Sequence, residues 1–148
     1  MISVLFFIIL TVSSFASVFT TDITPCEGII KPQSVRIESC TTQPCELSRG
    51  QKVKMEIDFI PGRDDNVLTP EVVATATGMD TNFPLPEMDA CEDLISGQCP
   101  YKSNDKLSYS IEMPILKIYP KVPLNIKFTL YDSKKAPITC FNVHCSVV

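Results

Sequence analysis

The chain has 148 residues, with 13 Lys and Arg, 17 Asp and Glu, and a net charge of -4. That acidic balance argues against a nucleic-acid binder, whose footprint is basic. One histidine and no tryptophan leave few ways to assemble a catalytic or metal site.

Every charged residue, all 7 cysteines and all 12 prolines lie at or beyond Asp22. Ahead of them, Val4-Leu5-Phe6-Phe7-Ile8-Ile9-Leu10 is purely apolar. A stretch of this length suits a signal-peptide core and is too short to span a bilayer as a helix. Ser14-Phe15-Ala16 fits the small-x-small cleavage pattern, so residues 1–16 are expected to be removed after Ala16. The competing readings are a buried core strand and a membrane anchor. No later segment is apolar enough to cross a membrane. The remainder, residues 17–148, suits one domain and is too short for two ordinary ones. Its cysteine density points to a compartment where disulfides persist.

Weak strands are expected at residues 34–39 and 71–77. The clearest strand is Lys52 to Phe59, where Val53, Met55, Ile57 and Phe59 share one face and Lys52, Lys54, Glu56 and Asp58 the other. Strict alternation of this kind marks a strand with one side in a core and one in water. Leu107, Tyr109, Ile111 and Met113 repeat it, as do Val122, Leu124, Ile126, Phe128 and Leu130, opposite Asn125, Lys127 and Thr129. Phe141, Val143, Cys145 and Val147 form a last inward row. Breakers separate these runs at residues 61–66, 82–86 and 133–137. No stretch holds helical periodicity, and there is no internal repeat. About seven half-buried strands predict an all-β, antiparallel β-sandwich, with a closed barrel as the alternative.

Cys40 and Cys45 enclose only Thr41-Thr42-Gln43-Pro44, which predicts a tight disulfide loop. Cys91 and Cys99 predict a second local loop around Ser96-Gly97. Cys26 is then left with two candidate partners, Cys140 and Cys145. These two differ by five positions, so they face opposite sides of a regular strand. Cys145, on the apolar face, reads as a buried free thiol; its alternative is a bridge between chains.

Catalytic signatures are missing from the sequence: there is no nucleophile elbow, no glycine-rich phosphate loop and no His–Cys pair. No cofactor or metal is expected, and the reading is of a non-enzyme. Lys117, Lys121, Lys127, Lys134 and Lys135 make the C-terminal half comparatively basic, read either as solvated strand faces or as a patch for anionic lipid surfaces.

Four segments, in order, resemble one family. They are Cys40-Thr-Thr-Gln-Pro-Cys45-Glu-Leu-Ser-Arg-Gly50-Gln51, Phe83-Pro-Leu-Pro-Glu-Met-Asp-Ala-Cys91, Cys99-Pro100, and Met113-Pro-Ile-Leu-Lys-Ile-Tyr-Pro120. Together with the cysteine layout they resemble the Niemann–Pick type C protein two family, part of the ML lipid-recognition family that also holds the group two mite allergens. The resemblance covers residue 26 to the end. It implies an immunoglobulin-like sandwich of two sheets with a lipid cavity between them. It also implies bridges Cys26–Cys140, Cys40–Cys45 and Cys91–Cys99. The implied cavity mouth and lining are Phe83, Ile115, Tyr119 and Pro120, with Leu47, Val53, Met55 and Phe128 on inner faces nearby. Met55 and Met79 are expected as adaptable fillers, and Phe83 and Tyr119, each beside proline, as a rigid apolar entrance.

The function so implied is soluble sterol binding and transfer. The alternatives are a carrier of fatty acids or semiochemicals, and recognition of microbial lipids. Expected partners are the sterol or fatty-acid ligand and, in passing, a membrane or a lipid acceptor protein. The chain itself is expected to be a monomer, secreted or in the lysosomal lumen. It departs from the sterol carriers in placing Phe128 and Phe141 where tryptophan is common, in the extra Cys145, and in lacking any Asn-x-Ser/Thr sequon.

Overall fold

Alternation along the strands becomes burial on one side of each. The computed structural model describes residues 19–148; the apolar leader and its expected cleavage after Ala16 lie outside them. Ten strands follow in order: β1 (Thr24–Pro25), β2 (Ser34–Ile37), β3 (Cys45–Leu47), β4 (Lys52–Phe59), β5 (Thr69–Ala76), β6 (Met79–Asn82), β7 (Leu94–Ser96), β8 (Leu107–Pro114), β9 (Pro123–Tyr131) and β10 (Pro137–Val147). Among the described residues all regular structure is strand.

One sheet runs β1-β10-β9-β5-β6, with β3 also on β10; the other runs β2-β4-β8-β7. Every pairing is antiparallel except that of β3, which lies parallel to β10 and places Cys45 against Cys145. The strand count exceeds the expected seven because β1, β3, β6 and β7 are too short to display a period. The expected strand at 71–77 starts earlier, at Thr69, and stops at Ala76. There Thr77 and Gly78 both take positive φ (51° and 77°) and close a two-residue hairpin into β6. Positive φ at both central positions matches the right-handed twist of the strands it joins.

The inward rows meet in register. On β4 and β8, Met55 pairs with Ile111, Ile57 with Tyr109 and Phe59 with Leu107. Facing them, Phe128 stacks on Phe141 with ring centroids 5.5 Å apart and lies 5.9 Å from Tyr109. These side chains are fully buried and make a solid core. On the outer face of the second sheet, Asp58 collects hydrogen bonds from Ser34 and Ser108, both 2.6 Å, and an ion pair from Arg36.

The disulfides pair Cys26 with Cys140, Cys40 with Cys45 and Cys91 with Cys99, leaving Cys145 buried and unpaired. The first closes a separation of 114 residues. A bridge of that span stabilises by about 4.7 kcal/mol in the chain-entropy model. It also explains one departure from alternation. Thr129, expected on a wet face, is buried. It pairs with Cys140, its hydroxyl 3.4 Å from the sulfur, under the N-terminal arm that the bridge holds down.

Candidate functional site

Burial falls off along the strands. On β9, Phe128 and Leu130 are fully buried, whereas Leu124 and Ile126 on the same face are only partly so. On β4, Phe59 and Ile57 are buried and Val53 is half-buried. The sheets are filled by aromatics at one end and stand open at the other. The open end encloses a cavity of about 440 Å³.

Its walls come from both sheets. Val72, Ala74 and Ala76 of β5, with Leu124 and Ile126 of β9, form one side; Val53 of β4 and Met113 of β8 form the other. Leu47 and Val147 close the edge where β3 lies against β10. Phe83, Pro84, Ile115, Tyr119 and Pro120 stand around the mouth. No charged side chain lines the cavity, and its polar lining is Thr81, Asn82 and Tyr119. A pocket of this kind offers apolar contact over most of a ligand and polar contact at few points.

Local backbone bonds hold the mouth. The Phe83 amide donates to the Val72 carbonyl at 2.8 Å, which fixes the segment leaving β6 against β5. The Gly50 amide donates to Ile115 and the Ile115 amide to Gln51. Gly50 sits at φ +83°, where a Cβ would also approach Cε of Lys117 to 3.0 Å. The Tyr119 amide donates to the Leu116 carbonyl across a turn, and Arg49 donates to the carbonyls of Lys117 and Tyr119. Phe83 and Tyr119 then meet with ring centroids 6.1 Å apart at an interplanar angle of 71°.

Of the residues singled out from sequence, Leu47, Val53, Phe83, Ile115, Tyr119 and Pro120 stand on this wall. Met55 and Phe128 do not line it; they are buried in the solid core beyond its inner end, 2% and 0% exposed. Met79 does not fill it either: it points into solvent at the hairpin tip, 68% exposed. Sequence reasoning missed Ala74, Ala76 and Thr81. The usable signal was Ala74 and Ala76 themselves, two small side chains in succession on an inward face, which leave room where Val or Leu would fill it.

Beyond Phe83 a larger depression of about 620 Å³ lies open on the surface, flanked by Glu71, Asp132, Ser133 and Lys135. Its charged border makes it a poor place for a purely apolar ligand. Among the described residues no group of three or more His, Cys, Asp or Glu could hold a metal ion.

Fold and cavity together define a class: an immunoglobulin-like β-sandwich whose two sheets part at one end around an uncharged apolar pocket. The chain belongs to the ML domain family, whose model matches residues 20–147. It is 32% identical over 116 residues to NPC intracellular cholesterol transporter 2 of Mus musculus, covering 78% of this chain and 75% of that protein. It is 33% identical over 116 residues to NPC intracellular cholesterol transporter 2 homolog a of Drosophila melanogaster, covering 76% and 77%. Among solved structures, a Niemann-Pick type C2 protein from Japanese carpenter ant superposes with a TM-score of 0.77 at 22% identity, covering 86% of this chain and 99% of that one. The fold is shared at lower similarity by chicken MD-1, solved with lipid IVa, with a TM-score of 0.51 at 14% identity over 81% and 83%.

Proposed function

We propose that the chain is a soluble lipid-binding and transfer protein that carries a sterol in the cavity between its sheets. The observation that carries this reading is the uncharged cavity of about 440 Å³ opening between Phe83 and Tyr119 in a chain of the ML domain family. The relatives named as cholesterol transporters support the sterol as cargo.

The mechanism is reversible desolvation, with no bond made or broken. An apolar ligand leaves a bilayer or acceptor, passes the aromatic mouth and exchanges hydration for contact with Val, Leu, Ile and Ala side chains. Burying on the order of 400 Å² of apolar ligand surface supplies roughly 10 kcal/mol gross, before the costs of ordering and association. Leu47, Val53, Ile115 and Pro120 supply wall contacts, and Phe83 and Tyr119 guard the entrance. The three disulfides support a secreted or lysosomal-lumen location, and the apolar leader up to Ala16 is the segment that would direct the monomeric chain there.

Native mass spectrometry of the protein isolated from its source, followed by displacement of a fluorescent sterol, tests the reading. The expected result is a copurifying sterol and saturable one-to-one binding. Binding of fatty acid without sterol would change the cargo. Finding no bound lipid and no affinity for either class would overturn the proposal.

A further inference from the structure

Ile95 stands 57% exposed on β7, the last strand in the order β2-β4-β8-β7. This strand has three residues and covers little of its neighbour. It pairs with Ser108 and Tyr109 of β8, and the Ser110 amide makes one more bond, to the Asp93 carbonyl at 3.1 Å. Residues 90–93 then form a turn that leaves the sheet. β8 itself runs on to Pro114, with β4 on its other side. Backbone groups along a strand point alternately to its two neighbours, so Glu112 presents its amide and carbonyl on the same side as Ser110. Among the described residues no strand covers that stretch of edge. An uncovered edge is a template for another strand.

The groove beside this edge has a volume of about 460 Å³. Pro86, Leu94 and Ile95 supply apolar surface, and Glu87, Glu92, Asp93 and Glu112 supply charge. Its one cation, Lys54, is already 2.7 Å from Glu56. Glu112 meets Lys52 at 3.7 Å with both side chains more than half exposed, a contact that contributes little. Among the described residues Glu92 and Asp93 form no ion pair. The surrounding sequence is charge-segregated. From Asp64 to Tyr101 there are eight acidic residues and no Lys or Arg, against a net -4 for the whole chain. The Tyr109 hydroxyl is buried without a hydrogen-bond partner among the described residues, and after burial itself Asp93 and Glu87 raise its pKa. The negative potential of the groove therefore reaches into the seam between the sheets.

We propose that this edge docks an extended basic segment of a partner protein. The segment adds as a short strand along β8 at Ser110 and Glu112, where main-chain bonds supply affinity and alternate side chains supply specificity. Its Lys or Arg side chains reach Glu87, Glu92 and Asp93, and the apolar residues between them lie on Leu94 and Ile95. Pro114 has no amide to donate, which limits the added strand to a few residues. Charge excludes the other occupants. An anionic bilayer is repelled, and a second copy would set the same acids against each other. The chain's own leader has no charged side chain ahead of Asp22. None of these side chains lines the cavity, so the docking site does not depend on the carrier reading.

Fluorescence anisotropy with a labelled peptide of alternating Lys and Val tests the proposal. The peptide is expected to bind and to weaken as salt is raised, while its Glu-Val counterpart does not bind. N-methylation of alternate peptide amides, which removes strand pairing and keeps the charge, should weaken binding about tenfold. Glu92→Gln and Asp93→Asn should each weaken it about threefold, and Ile95→Asn should weaken it with charge unchanged. Glu112→Pro removes the outward amide and should cost more than Glu112→Gln. In the wild type, hydrogen exchange at the Glu112 amide should slow when peptide is added. Fluorescent-sterol affinity should be the same in all these variants. No binding of the Lys-Val peptide, or binding indifferent to N-methylation with no slowing at Glu112, would overturn the docking strand. Peptide binding in a protein with no sterol affinity would instead remove the carrier reading and leave the docking site standing.

Discussion

Phe83 and Tyr119 meet edge to face across the cavity mouth, 6.1 Å between ring centroids, although 36 positions of sequence separate them. Each is fixed by its own strand: Phe83 through Val72 of β5, Tyr119 through the turn that Arg49 holds against β3 and β4. An entrance built from two independently anchored aromatics can be opened without disturbing the core. Phe83→Ala and Tyr119→Ala should each weaken sterol binding roughly tenfold, on an aromatic contact of about 1 kcal/mol and the apolar surface lost with it. Melting temperature should move by only a few degrees. Titration with a fluorescent sterol checks this, and unchanged affinity in both variants would remove the entrance role.

The two ends of the sandwich should respond oppositely to changes in volume. Ala74→Phe places a ring in the cavity, so sterol binding should be lost while the urea midpoint holds or rises. Phe128→Ala empties the solid core and should destabilise by about 3–5 kcal/mol; Met55→Ala should cost about 2–5 kcal/mol. Paired denaturation and binding curves separate the cases. A stable Phe128→Ala variant with lost affinity would move Phe128 from the core to the ligand.

Asp58 supplies a pH dependence. The Arg36 guanidinium, first among several partners, holds its carboxyl well below the usual carboxylate range, with Ser108 and Ser34 adding hydrogen bonds against the cost of burial. A carboxyl whose folded pKa is depressed stabilises the fold above its unfolded value, about 3.9, and loses that contribution as pH falls toward the folded value. The contribution is therefore intact at mildly acidic pH. Asp58→Asn should lower stability at pH values above about 4, with the gap to wild type closing as acid is added further. Urea midpoints measured across that range test it; a gap independent of pH would place the effect in packing.

Cys145 should be chemically silent. Burial pushes its thiol up to about 12, and it lies 2% exposed between Val143 and Val147. A thiol reagent at mildly alkaline pH should find no reactive group in the native protein and one per chain in denaturant. A disulfide-linked dimer on a non-reducing gel would show that the thiol leaves the core to pair between chains.

Long strands were legible because alternation is a property of the chain itself: Lys52 to Phe59 and Leu107 to Pro114 emerge where period two places them. β3 and β6 were not, because three or four residues carry no period, and β6 is exposed throughout. Six of eight expected lining residues stand on the cavity wall. Met55 and Phe128 belong to the same inward rows as the others, and position along the row, which alternation cannot report, sends them into the core.

What the sequence determined by itself was the local pattern: which side of each strand is apolar, where turns fall, and which cysteines lie close enough to close small loops. Those depend on side-chain period and short-range spacing. Tertiary structure alone decided whether an apolar stripe becomes packed core or cavity wall. That depends on what faces it across the sandwich. Phe128 meets Tyr109 and Phe141 and leaves no room, whereas Leu124 and Ile126 share their end with Ala74, Ala76 and Val53, whose smaller volumes cannot close the gap.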